Sequence, residues 1–352
     1  MQRKVRLKDV AERAGVAVNT ASTILNRRPN SWASKETETR VFLAAKELGY
    51  RPSKTARALQ SGRYHAIGLL IQDLANPFFA ALADEIEAAV EDCGYDLIIA
   101  NCRSSLVRES HLFDGLHGME VDGAITYLSD NESFRTELAE RFTEGFPLVA
   151  LGNGVPSKPV PVDCVLSDFT EGLTQAVDTL LALGHRTFAF LSALADGQAD
   201  GNRPRLFQQL LMERGIPEAG IVVLRCNHSV SGACETVACF LQHNLVNHPT
   251  ALLAMNDLSA IGAMRAALDC NLAVPQDLSI VGVDDVPLCA FLPVPLSSIR
   301  QRYRKIAATA AEMLISRIEG TLDELATPRE AIFPTHFIQR QSVGTPPLLR
   351  LD

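Results

Sequence analysis

Between Leu7 and Asn26 the apolar residues fall at helical spacing in two short runs separated by a glycine. Val10, Ala11 and Ala14 give the first run a small apolar face, and alanine lets a second helix approach closely. Gly15 stands where the chain must leave one helix and reverse, which often needs positive φ. Val16 closes the small core from the turn. In the second run Ala21, Ile24 and Leu25 lie at i, i+3 and i+4 and predict one buried face. That leaves Val18, Asn19, Ser22 and Thr23 pointing outward, a layout in which a second helix can enter a major groove. The segment 27–31 reads as a turn. A third helix follows, with Ser34 as N-cap and Val41, Phe42, Ala45 and Leu48 on its apolar side, and it ends at Gly49. After the break at 51–53, residues 54–62 form a short helical stretch almost without core-forming residues. Such a piece is marginal alone and reads as a linker that orders only in context.

From Ala66 the texture changes to alternation. Apolar strands are predicted at 66–71, 96–100, 123–127, 147–151, 187–191, 221–224, 251–255 and 279–283. Amphipathic helices are predicted at 78–92, 170–183, 204–214, 234–243 and 258–269. Short apolar strands separated by longer periodic helices imply parallel α/β sheets, here enough for two. In such sheets ligands sit beyond the carboxyl ends of the strands. The polar residues there are Gln72, Asp73, Asn76, Tyr127, Ser129, Gly152, Asn153, Asn256, Asp257, Asp284 and Asp285, with Arg203 just beyond the 196–202 loop. Two facing sheets would gather them into a cleft. Carboxylates, amides and one guanidinium suit a small polar ligand with hydroxyl groups. Singly, each residue is equally a loop cap or turn former; the grouping carries the argument.

Charge divides the chain at the same place. Residues 1–63 hold 14 Lys+Arg against 5 Asp+Glu, a net +9, and the remainder holds 19 against 36, a net −17, giving the overall −8. A basic head on an acidic body suits phosphate binding by the head and repulsion of the body from DNA. The 8 cysteines are scattered without a CxxC pair or metal-ligand spacing, which reads as reduced core thiols in a cytoplasmic protein. Arg3, Lys4 and Arg6 precede no apolar signal region, and no apolar run approaches a membrane span. No nucleophile elbow, P-loop or GxGxxG fingerprint is present, so an enzyme is not expected. Nothing calls for a metal or cofactor. His185, in a loop entering a strand, reads as structural.

These landmarks resemble the LacI–GalR family of bacterial transcription regulators over nearly the whole length. The residues that carry the resemblance are Asp9 through Asn26, Leu48-Gly49-Tyr50-Arg51-Pro52 and Ala56-Arg57-Ala58-Leu59. In the body they are Asn76-Pro77-Phe78-Phe79, Val121-Asp122-Gly123, Gly184-His185-Arg186, Asn256-Asp257 and Val281-Gly282-Val283-Asp284-Asp285. The resemblance implies an α plus α/β protein: a helix-turn-helix three-helix head (1–53), a hinge helix and linker (54–63) and a two-lobed periplasmic-binding-protein-like body (64–343). The N-lobe is expected at 64–163 plus 293–325, the C-lobe at 164–292 plus 326–343, and a tail at 344–352. It implies a homodimer on double-stranded operator DNA, contacted by Val18, Asn19, Thr20, Ser22, Thr23, Asn26, Arg57 and Leu59, with Leu59 as a minor-groove wedge. It also implies a small polar effector, sugar-like with a purine-like or phosphorylated one left open, at Arg203, Asn256 and Asp284 and, by loop position, Asp73 and Phe78, the alternative being a body that binds a protein cofactor. The chain departs from the family pattern in five places. Arg6 and Ala17 stand where side-chain N-caps are usual, Thr23 where Arg is common, Gly152 where some sugar-binding members are acidic, and the loop near Asn227-His228 lacks the aromatic that some members stack on the ligand. The missing caps imply a weakly stable isolated head, and Thr23 implies an operator different from those read by Arg.

Overall fold

The computed structural model describes residues 5–26, 33–50, 62–118, 121–128, 132–153, 161–193, 202–227, 229–244, 248–320 and 327–347. It divides into two compact units, Met1–His65 and Ala66–Asp352. In the first unit, helices α1 (Leu7–Ala14), α2 (Val18–Leu25) and α3 (Lys35–Leu48) enclose a core of Val10, Ala11, Ala14, Ala21, Ile24, Val41, Ala44 and Ala45. Gly15 leaves α1 in the left-handed conformation at φ 64°, as the turn requires. Ser34 caps α3 by accepting from the Thr37 amide at 3.3 Å. Phe42 departs from expectation. It is 43% exposed, because Val41, Ala44, Ala45 and Leu48 form the i, i+3, i+4, i+7 stripe and Phe42 is turned away from it. The N-terminus of α1 is better served than its Arg6 implied, since the Asp9 carboxylate accepts from the Arg6 amide at 2.7 Å. Ala17 gives α2 no side-chain cap. The expected hinge helix and linker, 54–63, lies outside the described residues except at 62–63.

The second unit holds two six-stranded sheets. The first contains β1 (Ala66–Ile71), β2 (Asp96–Asn101), β3 (Gly123–Tyr127), β4 (Leu148–Asn153), β5 (Asp163–Asp168) and β11 (Glu330–Pro334), in spatial order β2-β1-β3-β4-β5-β11, all parallel. The second contains β6 (Phe188–Ala193), β7 (Ile221–Cys226), β8 (Ala251–Ala254), β9 (Ser279–Asp284), β10 (Ser297–Arg300) and β12 (His336–Ile338). Its order is β7-β6-β8-β9-β10-β12, with only β12 antiparallel. Each sheet reverses its winding once, between β1 and β3 and between β6 and β8. A ligand site is expected beside such a reversal, off the carboxyl ends of the strands.

The sheets correct the expected lobe boundaries. β5 and β11 belong to the first lobe, and β10 belongs to the second. The chain therefore crosses at 168–170, 300–303 and 334–336. β5 is held in the first lobe by its own first residue. Asp163 is fully buried and pairs with Arg317 of the helix Tyr303–Ile318 at 2.7 Å and with Arg329 at 2.5 Å. Burial alone would raise this carboxyl, but the two guanidiniums hold it below its ordinary value. Gly344, expected in the tail, is part of the second lobe: its carbonyl accepts from His185 Nε2 at 2.9 Å and its amide donates to Ser279 Oγ at 3.1 Å.

Two consequences are measurable. Ala17→Ser supplies the missing acceptor and is expected to stabilise the head by about 1 kcal/mol, seen as a raised thermal transition of residues 1–63. In the parent that transition is expected to lie below the body's. Gly172, at the first crossing, has no room for a methyl group, because a Cβ would lie 2.5 Å from Thr335 Oγ1 and 2.6 Å from Ile299 Cγ2. Gly172→Ala is expected to cost the body about 1–3 kcal/mol, read from its denaturant midpoint; an unchanged midpoint would refute the close packing.

Candidate functional site

In the head, α2 presents one side away from the three-helix core. Val18 is 42% exposed; Asn19 is exposed, while Thr20, Ser22, Thr23 and Asn26 are half-buried. Three of these side chains are already engaged. Thr23 Oγ1 donates to the Asn19 carbonyl at 2.9 Å, and Asn26 Nδ2 donates to Ser22 Oγ at 3.3 Å. Thr23 therefore offers its methyl group and lone pairs rather than a donor. Arg57 and Leu59 lie outside the described residues.

In the body, the polar residues after the strands converge on Asp284. This residue ends β9, is buried and has a φ of 106°, a conformation rare for a residue with a side chain. Its Oδ1 accepts from Gln301 Nε2 at 2.7 Å, and its Oδ2 accepts from Asn76 Nδ2 at 3.4 Å. Gln301, 2% exposed, sits on the second crossing, and its own oxygen accepts from Ser167 Oγ at 2.6 Å. Asn76 belongs to the first lobe. It caps the helix Pro77–Glu91 by accepting from the Phe78 amide at 3.0 Å, which aims its amide nitrogen at Asp284. A carboxylate of the second lobe is thus held by the first lobe and by the link between them.

Tyr127 and Arg203 complete this centre. The Tyr127 hydroxyl donates to Asn153 Oδ1 at 2.5 Å. Burial pushes this hydroxyl well above its ordinary value, with Arg203 acting against the shift and Asp284 with it. Arg203 donates to the Met255 carbonyl at 2.7 Å and lies 4.9 Å over the Phe169 ring. Phe78 is packed into the lobe core, edge-on to Phe79 and Tyr127 at ring separations of 5.3 and 6.4 Å. Asp73 turns back on its own loop, accepting from the Ala75 amide at 3.0 Å.

Other candidates are internal ties. Asn256 Oδ1 caps the helix Asp257–Asp269 through the Ser259 amide at 2.8 Å, so only its nitrogen faces other partners. Asp257 accepts from the Val286 amide at 2.8 Å and from Ser298 Oγ at 2.6 Å. Gly282 makes room for it; a Cβ there would lie 2.2 Å from Asp257 Oδ1. Asp285 pairs with Arg300 and Arg340, each at 2.6 Å. Gln72 donates to buried Glu109 at 3.0 Å. Gly152 faces Leu166 and Leu128. Ser129 is outside the described residues. Sequence reasoning missed Gln301 and Ser167, since neither follows a strand that the periodicity had marked.

A helix-turn-helix head joined in one chain to a two-lobed α/β body is the architecture of a DNA-binding transcription regulator. Two family models match: "Bacterial regulatory proteins, lacI family" over residues 6–53 and "Periplasmic binding protein-like domain" over residues 177–343. The chain belongs to the LacI family of bacterial transcription regulators and is not an enzyme. It is 32% identical over 314 residues to the HTH-type transcriptional repressor PurR of Aliivibrio fischeri (strain MJ11), covering 89% of this chain and 91% of that one. The Lac repressor dimer bound to operator and the anti-inducer ONPF shares the fold, with a TM-score of 0.80 at 24% identity over 97% of this chain and 100% of that one. A LacI family regulator from Enterococcus faecium with bound ribose gives 0.66 at 26% identity over 80% of this chain and 99% of that one.

Burial raises Asp284 to about 6, opposed by Arg203, Gln301 and Asn76. Burial likewise raises Asp257, and the nearby Asp284 charge adds to the shift. A carboxyl raised on folding contributes stability below its unfolded value, near 3.9, and loses it as pH rises through the folded value. Asp284→Asn should therefore flatten the rise in body stability expected between about pH 6 and about pH 4. Denaturant unfolding of parent and variant across that window checks this; parallel curves would contradict it.

Proposed function

We propose that the chain is a cytoplasmic, homodimeric repressor whose affinity for a pseudo-palindromic operator is set by a small polar, sugar-like effector between the lobes. Asn19 pairs with an adenine edge, and Val18 and Thr23 meet thymine methyl groups. Thr20, Ser22, Asn26 and Arg57 line the same interface, and Leu59 wedges the minor groove. Asp73, Phe78, Arg203, Asn256 and Asp284 receive the effector. The single observation that supports the switch is the sharing of Asp284 between Asn76 and Gln301. A ligand hydroxyl that takes this carboxylate competes with a contact between the lobes, which gives the ligand different affinities for two lobe arrangements. That difference is what coupling to DNA requires. The dimeric, operator-bound Lac repressor and the ribose-bound Enterococcus regulator support the partners.

The test is selection of operators from random duplexes with the purified full chain, followed by titration of the selected site with a panel of sugars and related metabolites. A pseudo-palindrome is expected, with affinity that shifts for one compound. Asn19→Ala is expected to cost about 1–3 kcal/mol on the selected site and to relax one adenine position. Failure to enrich any site at low salt would refute the DNA-binding role; unchanged base preference in the variant would refute the Asn19 assignment.

A further inference from the structure

The three crossings between the lobes are tied to one another by a histidine whose two ring nitrogens have opposite duties. His336 opens β12 directly after the third crossing. Arg302, on the second crossing, donates from its guanidinium to His336 Nε2. Glu171, in the first helical turn after the first crossing, lies 3.2 Å from His336 Nδ1. An arginine only donates, so Nε2 must carry a lone pair, and the proton of a neutral ring then sits on Nδ1 and is given to the Glu171 carboxylate. The arrangement is complete only with His336 neutral and in this one tautomer. The same segments share other bonds. The Thr335 amide and hydroxyl donate to the Asp168 carbonyl at 2.9 and 3.0 Å, and the Phe337 amide donates to Gln175 Oε1 at 2.9 Å.

We propose that His336 is a proton-sensitive fastener of the hinge: protonation at Nε2 breaks its bond to Arg302 and loosens the crossings. The added proton would face a donor with no lone pair, and a second positive charge would meet the guanidinium. The bond to Glu171 is kept and becomes an ion pair, so the ring stays with the first crossing and releases the second. The charged groups that face the ring are Glu171, Arg302 and Arg300, the cross-strand partner of His336 on β10, whose charge is balanced by Asp285. The His336 side chain is 34% exposed, so protons reach it from solvent. Histidine is the side chain whose charge changes between about pH 5 and 8. The inference holds whichever ligand occupies the cleft.

The experiment is amide hydrogen exchange of the full chain at about pH 8 and about pH 5.5, corrected for intrinsic exchange. The amides to follow are those of Thr335, Phe337 and residues 301–303. In the parent their protection is expected to fall roughly ten- to a hundred-fold on acidification, the scale of one lost hydrogen bond to a charged group, while β1, β3 and β8 hold theirs. His336→Gln keeps an acceptor for Arg302 but cannot charge, and should keep protection at both pH values. Arg302→Met removes the donor and should show the low protection at both. A parent without an acid step, or a step that survives in either variant, would overturn the proposal. A purely structural His336 would lower protection in the variants without abolishing the pH dependence.

Discussion

The chain passes between the two lobes in three short links, and the links leave no slack. Gly172 cannot carry a methyl group because Thr335 and Ile299 already fill the space. The second crossing buries Gln301 with both ends of its amide used. Short, filled links favour discrete arrangements over continuous stretching. Asp284 sits beside these links. It is a second-lobe residue whose partners come from the first lobe and from the link, so its hydrogen bonding reports directly on lobe geometry.

The body accommodates several buried carboxylates by two different devices. Asp163 and Asp285 are each met by two arginines. Removing one partner of such a buried pair typically costs about 3–5 kcal/mol, so these pairs fix the framework. Asp257 and Asp284 have hydrogen-bond donors in place of a contacting cation among their described bonds. Their ionised forms are costlier, and the site where a ligand would act is also where charge is least settled.

Much of the head was legible in the residues because each feature there is local. Gly15, Ser34 and the stripe of small residues act on neighbours a turn away. Phe42 misled because an aromatic residue outweighs alanine in any apolar tally, whereas this small core needed Ala44. In the body the long apolar strands were plain, but β5, β10, β11 and β12 were not. They carry polar residues that find partners far along the chain, as Ser298 does with Asp257. The lobe boundaries were misplaced for that reason. The site was half visible: Asp284 follows a strand, as the sheet rule requires. Gln301 acquires its role only from a crossing that no periodicity reveals, and the oxygen of Asn256 is taken by a helix cap.

The arrangement of the last strands sets an order on how the molecule is made. β11 completes the first sheet beside β5, and Arg329 just before it joins the Asp163 cluster. β12 completes the second sheet, and Gly344 closes on His185. As the chain leaves the ribosome, the head can gather its own core within its first fifty residues. Both lobes must wait for the final segment, so neither is finished before the other, and a nascent chain stopped short of residue 329 would carry a DNA-binding head on a body with two open sheets.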